Sequence, residues 1–192
     1  MLTKLRDKTF FRLCNLADFI FIQIFYKFYL ILRGIKISFS AQISKFQINW
    51  PHQLSIGQNC VFENNLVFKY DSIWRKGPNI IIGKNVFIGC NTEFNISDRI
   101  SIGDNCLIAS NCKFIDHDHG FNDLNKPIRL QESKISPIII ENNVWIGTNC
   151  IILKGVTIGS SSIIGAGSVV TKNVPPNEIW CGAPASQKKK RI

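Results

Sequence analysis

Between Ile140 and Val170 the large aliphatic residues fall on a six-residue ruler: Ile140, Ile146, Ile152, Ile158, Ile164 and Val170. An α-helix repeats near 3.6 residues and a half-buried strand near 2, so neither explains a sustained period of six. A chain coiled as a triangular prism does. Each flat side is a short strand, each corner a turn, and one large apolar residue per side points to the axis. The step recurs upstream at Ile82, Ile88 and Phe94, at Ile102, Ile108 and Phe114, and at Ile56, Phe62 and Phe68. The register slips at 69–81 and 95–101, and its largest gap separates Phe114 from Ile140. The expected fold is all-β, a parallel β-helix.

Gly follows the ruler residue at 57, 83, 89, 103, 147, 159 and 165, and Asn recurs nearby, as at Asn85, Asn105 and Asn143. Both residue types tolerate the positive φ of tight corners, so both are expected to serve there. Four residues after each ruler position stand Cys60, Val86, Cys106, Cys112, Val144, Cys150, Val156, Ser162 and Ser168. These small residues suit a crowded interior, and four of the seven cysteines read as buried apolar thiols. The odd cysteine count and the lack of a CxxC pair argue against a disulfide or metal framework and fit a reducing, cytoplasmic compartment.

Three regions are expected: residues 1–34, an aromatic and apolar amphipathic helical segment; 35–178, the coils, with a loop at about 115–137; and 179–192, a basic tail with Lys188–Arg191. The first lacks a small-residue cleavage site, and Asp18, Gln23 and Lys27 interrupt its apolar run. It reads as a helix packed on the protein, with peripheral contact at the inner face of the membrane and a spanning helix as the other readings. The net charge of +10 suits an anionic partner, but no nucleic-acid motif is present. Phosphates or acidic lipid would suit the basic tail.

Two of the three histidines, His117 and His119, lie in FIDHDHGF where the ruler breaks, beside Asp116 and Asp118. Long excursions from a rigid scaffold tend to carry function. Imidazole is a base near neutral pH and a neighbouring carboxylate can orient it. From these residues alone, catalysis, a divalent metal site and a plain polar turn all stay open. His52 reads as a surface residue.

Residues 52–186, above all ISIGDNCLIASNCKFIDHDHG and NNVWIGTNCIILKGVTIGSSSIIGAGSVVTKNVPPNEIWCGAPA, resemble the hexapeptide-repeat acyltransferases, in the branch of maltose, galactoside and polysaccharide O-acetyltransferases. The resemblance implies a left-handed helix, a homotrimer, and acetyl-CoA lying between neighbouring prisms. It implies His119, followed by Gly120, as the catalytic base, with His117 as second candidate and Asp116 or Asp118 as orienting carboxylate. It implies that Trp145, Thr148, Ala166, Thr171 and Lys172 bind the cofactor and Asn91 the acceptor, with no metal. The acceptor implied is a sugar hydroxyl of a capsule, O-antigen or exopolysaccharide precursor. A drug hydroxyl, the amine of a nucleotide sugar, and a non-enzymatic metal-binding β-helix are the alternatives.

Overall fold

The structure, a computed structural model, describes residues 23–191. The expectations for residues 1–22 lie outside the described residues. The chain winds through three parallel sheets that form the sides of a left-handed β-helical prism. The first side stacks Lys36–Ile37, Leu54–Ile56, Ile80–Ile82, Ile100–Ile102, Ile138–Ile140 and Thr157–Ile158. The second begins with Gln42–Ile43 and runs through Trp145–Ile146 to Ile163–Ile164; the third runs from Gln47–Ile48 to Val169–Val170. Strands of two to four residues twist little, so the usual right-handed crossover preference has little leverage here.

The ruler residues stack in register as three columns. Ile56, Ile82, Ile102, Ile140 and Ile158 pair on the first side. Phe62, Ile88, Ile108, Ile146 and Ile164 pair on the second. Phe68, Phe94, Phe114, Ile152 and Val170 pair on the third. All are buried. The phenyl rings of Phe68, Phe94 and Phe114 stack face to face, with centroids 4.9 and 4.8 Å apart. That distance matches the coil spacing, about 4.8 Å, set by the interstrand hydrogen bonds. A further coil starting at Lys36 precedes the first ruler run.

The interior positions between the ruler residues are also buried, and their thiols are satisfied. Cys60, Cys106, Cys112 and Cys150 donate to the carbonyls of Gly83, Glu141, Gly147 and Gly165, at 3.0–3.2 Å. Burial pushes the Cys60 and Cys106 thiols up, away from the reactive thiolate.

The corners correct one expectation. Asn, not Gly, supplies most of the positive φ: Asn59, Asn85, Asn105 and Asn143 have φ of 55–60°, and Asn59 and Asn85 each pass an amide hydrogen bond to the next Asn along that corner. The glycines after the ruler residues serve close approach instead. A Cβ on Gly57 would stand 2.2 Å from the Gly83 carbonyl oxygen, and one on Gly147 2.6 Å from the Ala166 nitrogen. The coils stack only because those positions carry no side chain.

Residues 23–32 are helical and close one end of the prism. Leu30 is buried, and Tyr26 packs edge-on against Phe46 while its hydroxyl accepts from the Phe46 N–H. Lys27 donates to the Phe39 carbonyl at 2.7 Å; burial lowers the pKa of its ammonium. At the other end, residues of the expected tail form a hairpin. Glu178–Gly182 extends the second sheet and pairs antiparallel with Ala185–Lys190. No described helix is long and apolar enough to cross a membrane.

Because Phe94 has an aromatic ring above and below it, Phe94→Ala opens a cavity that neither neighbour can fill. It is expected to cost about 3–5 kcal/mol in urea unfolding. A loss below about 1 kcal/mol would contradict a rigid column.

Candidate active site

Between Ile56 and Val170 every departure from the six-residue step falls at one corner, where the third side turns into the first. Residues 71–79, 97–99 and 116–137 leave the prism there from three successive coils. The corner is knitted by Asp116, whose side chain is fully buried. Its carboxyl oxygens accept from the backbone N–H groups of Ser97 (2.7 Å), Asp98 (2.7 Å) and Arg99 (3.0 Å). The carboxyl thus ties the start of the long loop to the coil beneath it.

His117 follows directly. Its Nδ1 lies 3.0 Å from Asp116 Oδ1 and 3.1 Å from Ser97 Oγ. The Ser97 hydroxyl donates to the Asp71 carbonyl at 2.9 Å, so its oxygen is left to accept. Two acceptors around Nδ1 assign the proton there and leave Nε2 as the basic nitrogen. The ring is 16% exposed.

Asp118 places Oδ2 3.2 Å from Lys154 Nζ, and its Oδ1 is buried without a hydrogen-bond partner. His119 is exposed, and no hydrogen bond or ion pair links it to a described residue. Gly120 is required by crowding: a Cβ there would stand 2.4 Å from the Glu132 carbonyl oxygen. The loop then returns as a short antiparallel ladder, His117 opposite Ile135 and Asp118 opposite Lys134. Gln131 pins its middle, accepting from Asp123 N–H and donating to the Asp123 and Lys126 carbonyls. The tip exposes Phe121, Leu124, Ile128 and Leu130.

His117, Asp118, Leu153, Lys154 and Thr171 line a shallow hollow of about 260 Å³. Thr171 and Lys172 follow the last third-side strand, so they share the insertion corner. The remaining residues implied for the cofactor lie elsewhere. Thr148 and Ala166 stand before the strands Ile151–Leu153 and Val169–Val170, at the opposite edge of the third side. Trp145, half-exposed, projects from the second side. Asn91 also occupies that opposite edge, where it holds φ 58° and accepts from Asn65. One chain therefore groups Asp116, His117, Asp118, His119, Thr171 and Lys172, and separates them from Trp145, Thr148, Ala166 and Asn91. Ser97, Lys154 and Gln131 were not apparent as site residues. They join the corner through packing between coils, which spacing along the chain does not encode. Among the described residues no group of three His, Cys, Asp or Glu side chains could hold a metal ion.

Two sequence models match: "Bacterial transferase hexapeptide (six repeats)" over residues 137–172 and "Hexapeptide repeat of succinyl-transferase" over 79–113. In these two stretches the chain is similar to the hexapeptide-repeat transferases. The galactoside O-acetyltransferase of Escherichia coli is 60% identical over 48 residues, 25% of this chain and 24% of that protein. The chain thus spans about a quarter of the length of the curated relatives it matches. Among solved structures, an acetyltransferase of Vibrio cholerae containing hexapeptide repeats, complexed with acetyl coenzyme A, is 28% identical. It covers 83% of this chain and 72% of its own, with a TM-score of 0.57. AntD, an N-acyltransferase from Bacillus cereus in complex with dTDP and 3-hydroxybutyryl-CoA, shares the fold. It has a TM-score of 0.65 at 24% identity, over 83% of this chain and 81% of its own.

Asp116→Ala leaves three backbone donors at the loop entrance without their acceptor. It is expected to destabilise the fold by about 3 kcal/mol or more in urea unfolding. A change within about 1 kcal/mol would show that this carboxyl does not hold the corner.

Proposed function

We propose that the protein transfers an acetyl group from acetyl-CoA to a hydroxyl of a sugar, in the building of a cell-envelope polysaccharide. The observation that carries this reading is the DHDHG corner: two imidazoles beside carboxyls at the mouth of a loop, on a hexapeptide frame. The acetyl coenzyme A bound by the Vibrio cholerae relative supports the donor. The galactoside acetyltransferase from Escherichia coli supports a sugar oxygen as acceptor.

His119 is the base. Its ring has no competing partner among the described residues, and Gly120, packed against Glu132, fixes the chain that follows it. It takes the proton of the acceptor hydroxyl as that oxygen attacks the thioester carbonyl. A tetrahedral oxyanion forms, and coenzyme A leaves as its thiol. Asp116 and His117 fix the entrance to the loop, and Lys154 holds Asp118. Trp145, Thr148 and Ala166 bind the CoA arm from one edge, and Thr171 and Lys172 from the other. Because these edges lie on opposite ends of the third side, the complete site forms between neighbouring copies of a homotrimer. Most of the acceleration comes from holding two substrates in line.

The helix at residues 23–32 exposes Phe25, Phe28, Tyr29 and Leu32, with Arg33 and Lys36 nearby. This apolar face with a basic border suits peripheral contact with an anionic membrane surface at the cytoplasmic side, where a lipid-linked glycan would be met.

A second reading gives the base role to His117, and its contacts with Asp116 and Ser97 favour it. Steady-state kinetics separate the two. His119→Ala is expected to lower kcat about 10²–10⁴-fold with little change in stability, and His117→Ala to lower it less while loosening the loop. The reverse ranking assigns the base to His117. Near-wild-type turnover in both variants would overturn the mechanism.

A further inference from the structure

The insertion at 71–79 frames an aromatic surface that the acyl-transfer chemistry does not use. Trp74 is 67% exposed and Ile73 84%. One face of the Trp74 indole is backed by the His52 imidazole, whose centroid lies 6.0 Å away and whose plane is tilted by 30°. Trp50, itself exposed, meets His52 edge-on at 5.8 Å.

The surface is built rather than loose. Gln53 is buried, and its amide donates to the Arg75 carbonyl at 2.7 Å while its oxygen accepts from Asn79 at 2.7 Å. Arg75 pairs with Asp98 at 2.9 Å, and Lys69 with Asp71 at 2.9 Å. An exposed indole held rigid at the surface, with forked donors and carboxylates at its rim, fits a pyranose. The electron-rich ring face meets the sugar's C–H bonds, and the charged groups meet its hydroxyls.

Its position adds to the argument. Asp98 pairs with Arg75 through its side chain and donates its N–H to Asp116; Ser97 bridges Asp71 and His117. Trp74 therefore belongs to the same corner as His117 and His119, two coils nearer the helical end. At the spacing of stacked strands, two coils are roughly 10 Å. We propose that Trp74, backed by His52 and Trp50, is a glycan subsite that holds a second sugar unit of an oligosaccharide whose reacting hydroxyl lies at the histidine corner. This rests on the sugar-acceptor reading above. It assigns the acceptor to chains longer than one unit.

The test compares acceptors by length: galacto-oligosaccharides and sialic acid oligomers of increasing size, with wild type, Trp74→Ala and Trp74→Phe. In the wild type, kcat/KM should rise from monomer to oligomer. Trp74→Ala should raise KM for the oligomer about five- to tenfold, leave the monomer unchanged and leave kcat unchanged; Trp74→Phe should restore most of the loss. Equal loss for monomer and oligomer would overturn the subsite and leave the acceptor reading standing. So would a change in oligomer mass on Trp74→Ala, which would make the surface a contact between copies. Tight binding of a free nucleoside diphosphate that Trp74→Ala abolishes would assign the surface to a nucleotide base and overturn the glycan. A wild type that acetylates neither series would overturn the acceptor reading and the subsite together.

Discussion

The stacking of one coil on the next at the interstrand spacing governs the molecule. Backbone hydrogen bonds set that spacing, and every other feature must conform to it. Inward side chains must stack at the same interval, and Phe68, Phe94 and Phe114 do so ring on ring. Corners must turn without thickening the stack. That places Asn where φ is positive and removes the side chain from positions such as Gly57 and Gly147. The interior thiols and the Ser162 hydroxyl fit the same rule, since each finds a carbonyl of a neighbouring turn within reach. A frame so constrained has little freedom left for chemistry, except where the chain leaves it.

It leaves it at one corner. Three successive coils extend there; the fully buried Asp116 carboxyl ties the base of the third to the second, and the Ser97 hydroxyl ties the second to the first. This arrangement converts a weak feature of any solenoid, a loop, into a fixed entrance for His117 and His119. It also places the aromatic surface of Trp74 on the same line as the histidines. Prism, insertion corner and candidate chemistry are therefore consecutive consequences of one periodic constraint and its interruption.

Much of the frame was legible from the chain because periodicity is a local property. Three columns of ruler residues follow from counting sixes, and the buried thiols follow from their offset of four. The break after Phe114 likewise pointed to His117 and His119. What counting could not reveal was geometry between coils. The slips near 69–81 and 95–101 looked like separate irregularities, yet both lie at the corner of the long loop. The glycines looked like turn residues, yet the crowding of adjacent coils selects them. The Asp116 contacts with Ser97, Asp98 and Arg99 connect residues 17–19 apart. Only the closure of a coil brings them together. The basic 179–192 segment has no six-residue step, and its hairpin follows from pairing with Ile163–Ile164.

The prism also divides the residues that the proposed acyl transfer would use. Asp116 to His119, Thr171 and Lys172 lie at one edge of the third side, and Thr148 and Ala166 at the other. A single chain does not bring them together, so the proposed site needs a neighbour. Mixing two inactive variants after subunit exchange tests this directly. His119→Ala damages one edge, and Ala166→Trp blocks the other at an exposed position. If the edges come from different copies of a cyclic assembly, random mixing restores roughly a quarter of wild-type transfer. If the mixed protein stays as inactive as its parents, the site is contained within one chain and the account of the divided prism is wrong.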